Sequence, residues 1–323
     1  MVVQASDAMK VTPAMSALAG RFTLNQVMLR VRDPRRSVPF YEKHFAMRLI
    51  EKRDFSDFSL YFLVTVPPGT PPDVYGREYL KSGDYGCCLE LTHNHGTEND
   101  PEFSYHAGNT PPLGFGHLGF LVDDLSGHCH RMIGDGVRFD KEPSKGCNYA
   151  FAVDPDGYRV EVLQRSGTPS PGPSTSSFHH AMLRVADIAR SLEFYQKICG
   201  FHLLHATYVP GERYWSYYLG CGLPPTDHVP DEAARTRLFS YPGQLLELTI
   251  ADEPEVRYHN GNVDPRGFGH LAIMVDDVYE ACAEMERCGV AFQKKPDDGR
   301  MKGLAFILDP DGYWIEVVKR GAN

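Results

Sequence analysis

The sequence predicts an α+β fold with two similar domains in tandem, each made of two β-α-β-β-(β) units. The main observation is that whole motifs occur twice in the 323-residue chain. Their nearly constant offset of about 154 residues indicates a duplicated domain, because solenoid repeats are only about 20–50 residues long. A chain of this size also exceeds what one hydrophobic core usually supports. The repeated motifs are MLRV (residues 28–31 and 182–185), GFGH (114–117 and 267–270) and DPDGY (154–158 and 309–313).

A segment rich in proline, serine and glycine separates the two copies. This segment, residues 166–177, cannot bury a core and is expected to be the linker. It places the first domain at residues 21–165 and the second at residues 178–320. Residues 1–20 lack the pattern of a secretory signal and are expected to form a flexible N-terminal tail.

The first unit of each domain begins with a strand that leads into a helix. Residues 25–31 are predicted to be a strand, and Asp33-Pro34 is a typical helix start because aspartate suits the N-cap and proline the first turn. In the second copy Asp187 takes the capping position, and apolar residues follow at helical spacing. The strands expected after these helices are 60–66 and 87–92 in the first domain, and 215–219 and 245–250 in the second.

The second unit of each domain repeats this order. In the first domain a strand at residues 117–122 precedes a helix after Asp124. In the second domain a strand at residues 270–275 precedes a helix that Asp277 caps and that is apolar on one face. Both units then end in a hairpin, since the proline and glycine of the DPDG motif suit a tight turn.

The composition argues against several classes of function. The chain is 42% apolar and 23% charged, as is usual for soluble globular proteins, and its net charge of −9 disfavours a nucleic-acid surface or a broad membrane surface. It has no apolar run of about 18 residues, so no transmembrane helix is expected. The eight cysteines show no CxxC spacing, which favours free thiols and a cytoplasmic location.

Four glutamates in the middle of apolar strands are the informative chemical feature. A single such glutamate is most simply explained by a strand with one face in water. A buried carboxylate without a partner is costly, so it would become neutral, form an ion pair or bind a metal. Because the four occupy matched places and accompany the matched histidines His117 and His270, we favour metal binding. The four are Glu90, Glu161, Glu247 and Glu316.

Strand alternation places a polar neighbour beside each of several predicted ligands. Side chains two or four residues apart in a strand share a face. Together, amide, carboxylate and neutral imidazole groups form a mixed nitrogen and oxygen ligand set that suits Zn, Ni, Co or Fe(II). The pairs that share a face are Gln26 with Arg30, Glu90 with Asn94, and His180 with Arg184.

These residues lie in tracts that resemble the glyoxalase I (lactoylglutathione lyase) family of the vicinal oxygen chelate superfamily, in its fused two-domain form. The resemblance extends from Leu24 to Arg320. It implies that four βαβββ modules pair into two curved mixed sheets, with metal sites between modules of different domains. Because both halves lie in one chain, it also implies an active monomer. The most similar tracts are 28–34, 89–94, 264–270 and 294–306.

The resemblance implies one complete site for the hemithioacetal of methylglyoxal and glutathione, which would be isomerised to S-lactoylglutathione by proton transfer through an enediolate. Its divalent metal would be held by Gln26, Glu90, His270 and Glu316, with zinc expected first and nickel or cobalt as alternatives. Glu316 is the expected catalytic base, and Glu90 would act opposite it. The residues expected to bind the glutathione co-substrate are Arg30, Asn94, Arg266, Lys294, Arg300 and Met301.

A second metal site is implied with an incomplete set of glutathione contacts. Ala251 stands where the family has asparagine, and Leu113 stands where it has arginine. The loop at residues 141–146 is also shorter than its counterpart at 294–303. We therefore expect one competent glutathione site and a second that is degenerate, regulatory or differently specific. The implied ligands of the second site are His117, Glu161, His180 and Glu247.

Two other functions remain as alternatives. An extradiol-type ring-cleaving dioxygenase could use His180, His270 and Glu316 as a facial triad for Fe(II), although this leaves Gln26 and Glu90 unexplained. A metal-free protein that sequesters small molecules would need neither set of histidines and glutamates. Neither alternative requires a nucleic acid or a membrane as partner.

Overall fold

The protein is described here by a computed structural model. It covers residues 22–66, 87–166, 176–209, 211–221, 238–239, 244–299 and 301–320. The predicted tail at residues 1–20 and most of the predicted linker lie outside the described residues. In the described part, sixteen strands and their connecting α-helices repeat the order β-α-β-β-β four times. The prediction of four such modules is confirmed.

The modules have closely similar element lengths. Module 1 contains β1 (Thr23–Arg30), α1 (Pro34–Phe45), β2 (Met47–Asp54), β3 (Phe58–Thr65) and β4 (Cys88–Asn94). Module 2 contains β5 (Phe115–Val122), α2 (Leu125–Gly134), β6 (Phe139–Lys141), β7 (Tyr149–Val153) and β8 (Arg159–Gln164). Module 3 contains β9 (Ser176–Arg184), α3 (Ile188–Lys197), β10 (His202–Val209), β11 (Tyr214–Gly220) and β12 (Leu245–Ala251), so that β9 starts within the last residues of the predicted linker. Module 4 contains β13 (Phe268–Val275), α4 (Val278–Arg287), β14 (Phe292–Lys294), β15 (Ala305–Leu308) and β16 (Trp314–Lys319).

Modules of different domains pair to form two mixed eight-stranded sheets. The first sheet joins modules 4 and 1 in the order β14-β15-β16-β13-β1-β4-β3-β2, and the second joins modules 3 and 2 in the order β10-β11-β12-β9-β5-β8-β7-β6. At each seam the first strands of two modules run antiparallel, β1 against β13 and β5 against β9. The first and last strands of one module run parallel, as β1 and β4 do. The pairing of modules across the domains is thus confirmed.

The α-helices α1 to α4 begin at the predicted aspartates. A side-chain oxygen of each aspartate accepts hydrogen bonds from backbone N–H groups in the first turn, which have no partner within the helix. Pro34 occupies the first turn of α1, where its missing N–H costs nothing. No helix in the described ranges is long and apolar enough to cross a membrane. The capping residues are Asp33, Asp124, Asp187 and Asp277.

The repeated DPDGY hairpin ties the two modules of a domain together, besides turning the chain. Asp154 accepts hydrogen bonds from the backbone N–H of Tyr158 and from the Tyr41 hydroxyl of α1, both at 2.9 Å. The Tyr158 hydroxyl donates to the carbonyl of Arg30 at the end of β1, at 3.0 Å. The hairpins therefore bind module to module within a domain, while the sheets join the domains. The equivalent contacts in the second domain are Tyr195 to Asp309 at 2.9 Å and Tyr313 to the Arg184 carbonyl at 3.1 Å.

The main hydrophobic core is continuous through both domains. All residues of β5 and β13 are buried, and the rings of Phe115 and Phe268 at their starts stack with centroids 5.0 Å apart. These strands also contain His117 and His270. Because buried polar groups require partners, each histidine must meet a polar side chain from a neighbouring strand or a bound ligand.

Candidate metal centres and substrate cavity

The first centre lies on the four central strands of the first sheet. Gln26 of β1, Glu90 of β4, His270 of β13 and Glu316 of β16 converge on one position, and each is at most 7% exposed. Gln26 Nε2 lies 2.6 Å from Glu90 Oε2 and 3.0 Å from Glu316 Oε2. His270 Nε2 lies 3.4 Å from Glu316 Oε2 and 3.8 Å from Glu90 Oε2. The structure therefore brings together the four residues predicted for this centre.

The electrostatics of the first centre favour a cation. Burial raises the pKa of Glu90 to about 7, with the charge of His270 opposing this shift and that of Glu316 adding to it. Burial lowers the pKa of His270, but the hydrogen bond to Glu316 and the two carboxylate charges outweigh burial and raise it. Two carboxylates thus share a space with little water, where a divalent cation would stabilise both.

The donor chemistry of the first centre also fits a divalent metal. Ligand atoms of Glu90, His270 and Glu316 lie within 4.8 Å of one another. Gln26 presents its amide nitrogen to the carboxylates, and rotation of this amide exchanges the nitrogen for the oxygen that a cation requires. The Thr92 hydroxyl donates to Glu90 Oε1 at 3.3 Å, which leaves Oε2 directed at the centre.

The second centre occupies the equivalent strands of the second sheet. His117 of β5, Glu161 of β8, His180 of β9 and Glu247 of β12 are each at most 8% exposed. The two histidine Nε2 atoms are 3.0 Å apart, and each lies 3.2–3.4 Å from one oxygen of both glutamates. Ligand atoms placed about 2.0–2.1 Å from a tetrahedral zinc are about 3.3–3.4 Å from one another. The spacing of the four side chains fits such a metal.

The buried atoms of the second centre point at a common position. Glu247 Oε2 accepts no hydrogen bond within the described residues, although both Nε2 atoms lie 3.2–3.3 Å away. Burial raises the pKa of Glu161, but the two histidines outweigh burial and lower it to about 2. Burial lowers the pKa of His180, but the glutamates raise it to about 9. Protons therefore balance these carboxylates when no cation is bound, and a metal would displace them.

A cavity of about 470 Å³ opens above the first centre. Part of its wall is apolar, and basic side chains lie around the rest. A cavity of this kind suits a ligand with one apolar part and one anionic part. The apolar wall includes Phe55, Phe58, Phe62, Phe306 and Trp314, and the basic residues are Arg30, Arg53, Arg266, Lys302 and Lys319.

The structure places four of the six predicted glutathione residues in the wall of this cavity. They are Arg30, Asn94, Arg266 and Met301. Lys294 lies at the end of β14, outside the cavity wall, and its Nζ donates to the carbonyl of Leu304 at 2.6 Å. Arg300 lies outside the described residues.

Arg30 also has a structural role that its sequence pattern did not reveal. Its Nη1 donates to the carbonyls of Gly261, Gly267 and Phe268 at 3.1–3.2 Å, which fastens the loop leading into His270. Arg184 makes the equivalent contacts to the loop before β5. The sequence did contain a signal for this structural role, because the arginine occurs in both copies, including the copy whose set of glutathione contacts is incomplete.

Arg53 is a cavity residue that sequence reasoning missed. Its guanidinium pairs with both carboxylate oxygens of Glu51 at 2.8 and 3.0 Å and lies 4.8 Å from the centre of the Phe62 ring. Arg53 belongs to β2, which ends in four consecutive charged residues and so looks like an exposed strand. Its position facing the cavity depends on how β2 and β3 pair, which one strand alone does not reveal.

The facial triad considered for an Fe(II) dioxygenase does not form. His180 lies in the second sheet with His117, whereas His270 and Glu316 lie in the first sheet. All three residues belong to the second domain, but its two modules enter different sheets. The prediction of this triad is therefore wrong.

Comparison with known proteins decides the family. Residues 23–162 and 177–317 each match the model of the Glyoxalase/Bleomycin resistance protein/Dioxygenase superfamily. The chain is 41% identical over 313 residues to glyoxalase I of Saccharomyces cerevisiae, and the alignment covers 92% of each chain. The chain belongs to the glyoxalase I family. A family member from Schizosaccharomyces pombe, lactoylglutathione lyase, is 38% identical over 310 residues, which cover 93% of this chain and 97% of that protein.

A solved structure supports the same placement. Glyoxalase I from Zea mays matches with a TM-score of 0.67 and 27% identity, covering 93% of this chain and 92% of the maize chain. The match to a glyoxalase I structure, together with two copies of the family domain in one chain, confirms the predicted α+β architecture.

Proposed function

We propose that the protein is a lactoylglutathione lyase that isomerises the hemithioacetal of methylglyoxal and glutathione to S-lactoylglutathione. One observation carries the proposal: Gln26, Glu90, His270 and Glu316 converge beneath a cavity with an apolar wall and a basic rim. The reaction is an internal isomerisation, because the proton removed from C1 is balanced by one added at C2. It needs no external oxidant or reductant.

The four residues of the first centre would hold a divalent metal. When bound, that metal would act as a Lewis acid toward the substrate oxygens and lower the cost of the enediolate. We propose zinc, because imidazole and carboxylate groups are its usual nitrogen and oxygen ligands. Nickel and cobalt accept the same ligands, so metal analysis must separate the three.

Glu316 is proposed as the base that removes the C1 proton and returns it at C2. Its side chain is buried beside His270 at the base of the cavity, where little water competes for the proton. Glu90 lies at the same centre, and its Oε2 is directed at the common position. Glu90 is proposed to serve the substrate of the opposite hand.

The basic and polar residues of the cavity are proposed to bind glutathione. The Arg266 side chain is 58% exposed and lies 3.7 Å from Asp264, so it is free to reorient toward an anionic ligand. Asn94 donates to the Tyr105 hydroxyl at 2.7 Å, which orients its amide in the wall of the cavity. Arg30 and Met301, which also line the cavity, belong to the proposed set. Lys294, which lies outside the cavity wall, and Arg300 are included in the proposal because of the family resemblance alone.

The second centre is proposed to bind a metal without being a second glutathione site of the same kind. Ala251 and Leu113 provide neither the amide nor the cation that the first cavity has in Asn94 and Arg266. Its role would be degenerate, regulatory or directed to a different substrate. Because one chain supplies all ligands of both centres, we propose that the protein acts as a monomer, and we propose a cytoplasmic location.

The test is an assay of thioester formation at 240 nm, with metal content measured for every sample. Wild-type protein, Glu316→Gln and Glu161→Gln form the set, and the last is the matched control because Glu161 occupies the equivalent position of the second centre. Loss of a general base should lower kcat by about 10²–10⁴-fold in Glu316→Gln. Glu161→Gln should keep most turnover. The reverse result would assign catalysis to the second centre, and inactive metal-loaded wild type would reject the proposal.

A further inference from the structure

Two consecutive histidines in β9 contact each other, which the geometry of a regular strand forbids. Neighbouring side chains of a strand point to opposite faces of the sheet. Nevertheless, His179 Nδ1 lies 2.9 Å from His180 Nδ1. The cause is a β-bulge: Gly119 of β5 pairs with His180 and Phe120 pairs with Phe178, so that His179 is the extra residue. Bulges of this kind re-aim a side chain, often beside a functional site.

The second nitrogen of His179 determines how its protons are arranged. His179 Nε2 lies 3.0 Å from the carbonyl oxygen of Leu238. A carbonyl can only accept a hydrogen bond, so Nε2 must carry the proton. A neutral imidazole has one N–H, and His179 Nδ1 is therefore left as an acceptor. It follows that His180 Nδ1 donates to His179 Nδ1 and that His180 Nε2 can offer its lone pair to the second centre.

We propose that His179 is a positioning residue for the second metal centre: it holds His180 in the orientation and tautomer that metal binding requires. This inference rests on the proposed metal binding by His117, Glu161, His180 and Glu247. Metal-binding histidines usually donate their other N–H to a carbonyl or carboxylate. Here a second imidazole takes that place and passes the hydrogen bond on to the Leu238 carbonyl.

The first centre contains an equivalent β-bulge with a different residue in it. In β1 the pairing with β13 passes from Leu24 to Gln26, so that Asn25 is the extra residue of a bulge at the equivalent position. Asn25 Nδ2 donates to Gln26 Oε1 at 3.2 Å. When Gln26 turns its oxygen to a metal, Asn25 would have to turn likewise, so that its Oδ1 accepts from Gln26 Nε2. An amide thus supports the amide ligand, and an imidazole supports the imidazole ligand. The bulge itself is common to both modules, and the residue in it matches the ligand that follows.

The surroundings of His179 leave its hydrogen bonds no competition from water. His179 is 1% exposed and His180 is fully buried. Leu238 and Phe239 pack in a hydrophobic cluster, and the Phe239 ring centre lies 6.2 Å from that of His179. The Phe239 carbonyl accepts from the backbone N–H of Ser166 at 3.2 Å, which ties this segment to the end of the first domain. The Leu238 carbonyl is therefore held where it can accept a hydrogen bond from His179 Nε2.

The test measures the zinc affinity of the second centre by competition with a chromophoric chelator. The first centre is disabled by His270→Ala and Glu316→Gln in the full chain, so that one site remains. In that background His179→Leu should weaken zinc binding by about 10–100-fold, as removal of a supporting partner does at other metal sites. His179→Asn should restore most of the affinity, because its amide oxygen can accept from His180 Nδ1. A purely steric role would not be rescued in this way.

In the matched control, the second centre is disabled and the first is left intact. With His117→Ala and Glu161→Gln, His179→Leu should leave the zinc affinity of the first centre unchanged. Nitrogen-15 spectra of the zinc-loaded wild type should show the His179 proton on Nε2 and the His180 proton on Nδ1. Unchanged zinc affinity in His179→Leu, no rescue by His179→Asn, or a His179 proton on Nδ1 would overturn the proposal. If the chain with the first centre disabled binds no zinc at all, the proposed second centre itself fails.

Discussion

The two metal centres share one arrangement of strands but differ in the space around it. In the first centre Phe62 pairs with Glu90 across β3 and β4, and in the second Tyr218 pairs with Glu247 across β11 and β12. Two residues before these aromatics, the first module has Leu60 and the third has Ser216, whose hydroxyl donates to Glu247 Oε1 at 2.5 Å. The wall of the second centre is therefore more polar.

The comparison distinguishes residues at positions that the fold constrains from residues that only a substrate would require. The ligands occupy the seam strands of each sheet and the strands beside them, where one shift of register would move every side chain to the other face. The proposed substrate residues Asn94 and Arg266 lie at the end of a strand and in a loop, and Ala251 and Leu113 occupy the equivalent places around the second centre. On the proposed assignment, the duplicated chain keeps two metal centres while only one keeps a glutathione site.

Metal removal should have the largest effect and should affect both centres. We expect chelation to abolish lyase activity and to lower the melting temperature, because buried carboxylates lose their counter-ion. A metal at about 1,000 times its Kd stabilises the folded state by about 4 kcal/mol per site. Activity at 240 nm, metal content and calorimetry on the same samples measure this. Glu161→Gln should lose one metal equivalent and part of the stabilisation but little activity. Full activity of the metal-free protein would contradict the proposed role of the metal in the first centre.

Arg266→Leu should convert the first cavity toward the second, since it introduces the residue found at Leu113. Hydrogen bonds to charged groups contribute about 1.5–3 kcal/mol, so KM should rise by about 10–100-fold. The value of kcat should change little, because the arginine is proposed to bind the glutathione part and not the reacting carbon atoms. Steady-state kinetics with Leu113→Ala as control decide this. A collapse of kcat at unchanged KM would show that Arg266 takes part in the chemistry.

Several features of the site could be predicted from the sequence because they depend on local rules. Strand alternation alone put Gln26 with Arg30 and Glu90 with Asn94, and all four line the same cavity. Aspartate followed by an apolar helical pattern located the helix starts. The pairing of module 1 with module 4 did not follow from such rules, and it was available only through the family resemblance. The wrong dioxygenase triad shows the consequence, since membership of one domain suggested a contact that the sheets do not make.

Other features could not be predicted because they arise from breaks in regular structure or from distant contacts. The bulge at His179 is a break in register that no period of two reveals. The contact of Lys294 with the Leu304 carbonyl depends on how the short strand β14 ends. The loop carbonyls that bind Arg30 lie more than 230 residues away in the chain. These contacts depend on the three-dimensional structure; for Arg30 the repeated arginine signals a structural role but not its partners.

Tyr41→Phe should have the smallest effect. It tests a hairpin contact that the two domains share. Burial raises the pKa of Asp154 to about 7, the charge of Asp156 adds to this, and the Tyr41 hydrogen bond lowers it. Since the unfolded value is about 3.9, the folded state binds more protons, and stability due to this group falls as the pH rises from about 4 to about 7. Loss of the hydroxyl removes a donor to the ionised carboxylate, so the variant should be destabilised more at pH 8 than at pH 5.

We expect Tyr41→Phe to lower the free energy of unfolding by about 1–3 kcal/mol at pH 8 and by less at pH 5, measured by urea denaturation at both pH values. Tyr195→Phe is the matched variant in the second domain, where burial likewise raises the pKa of Asp309 to about 7. The same pH trend is expected there, because the DPDGY hairpins make the same contacts. An equal loss at both pH values would mean that the tyrosines act by packing alone. A trend in only one domain would extend the difference between the two metal centres to the scaffold that holds them.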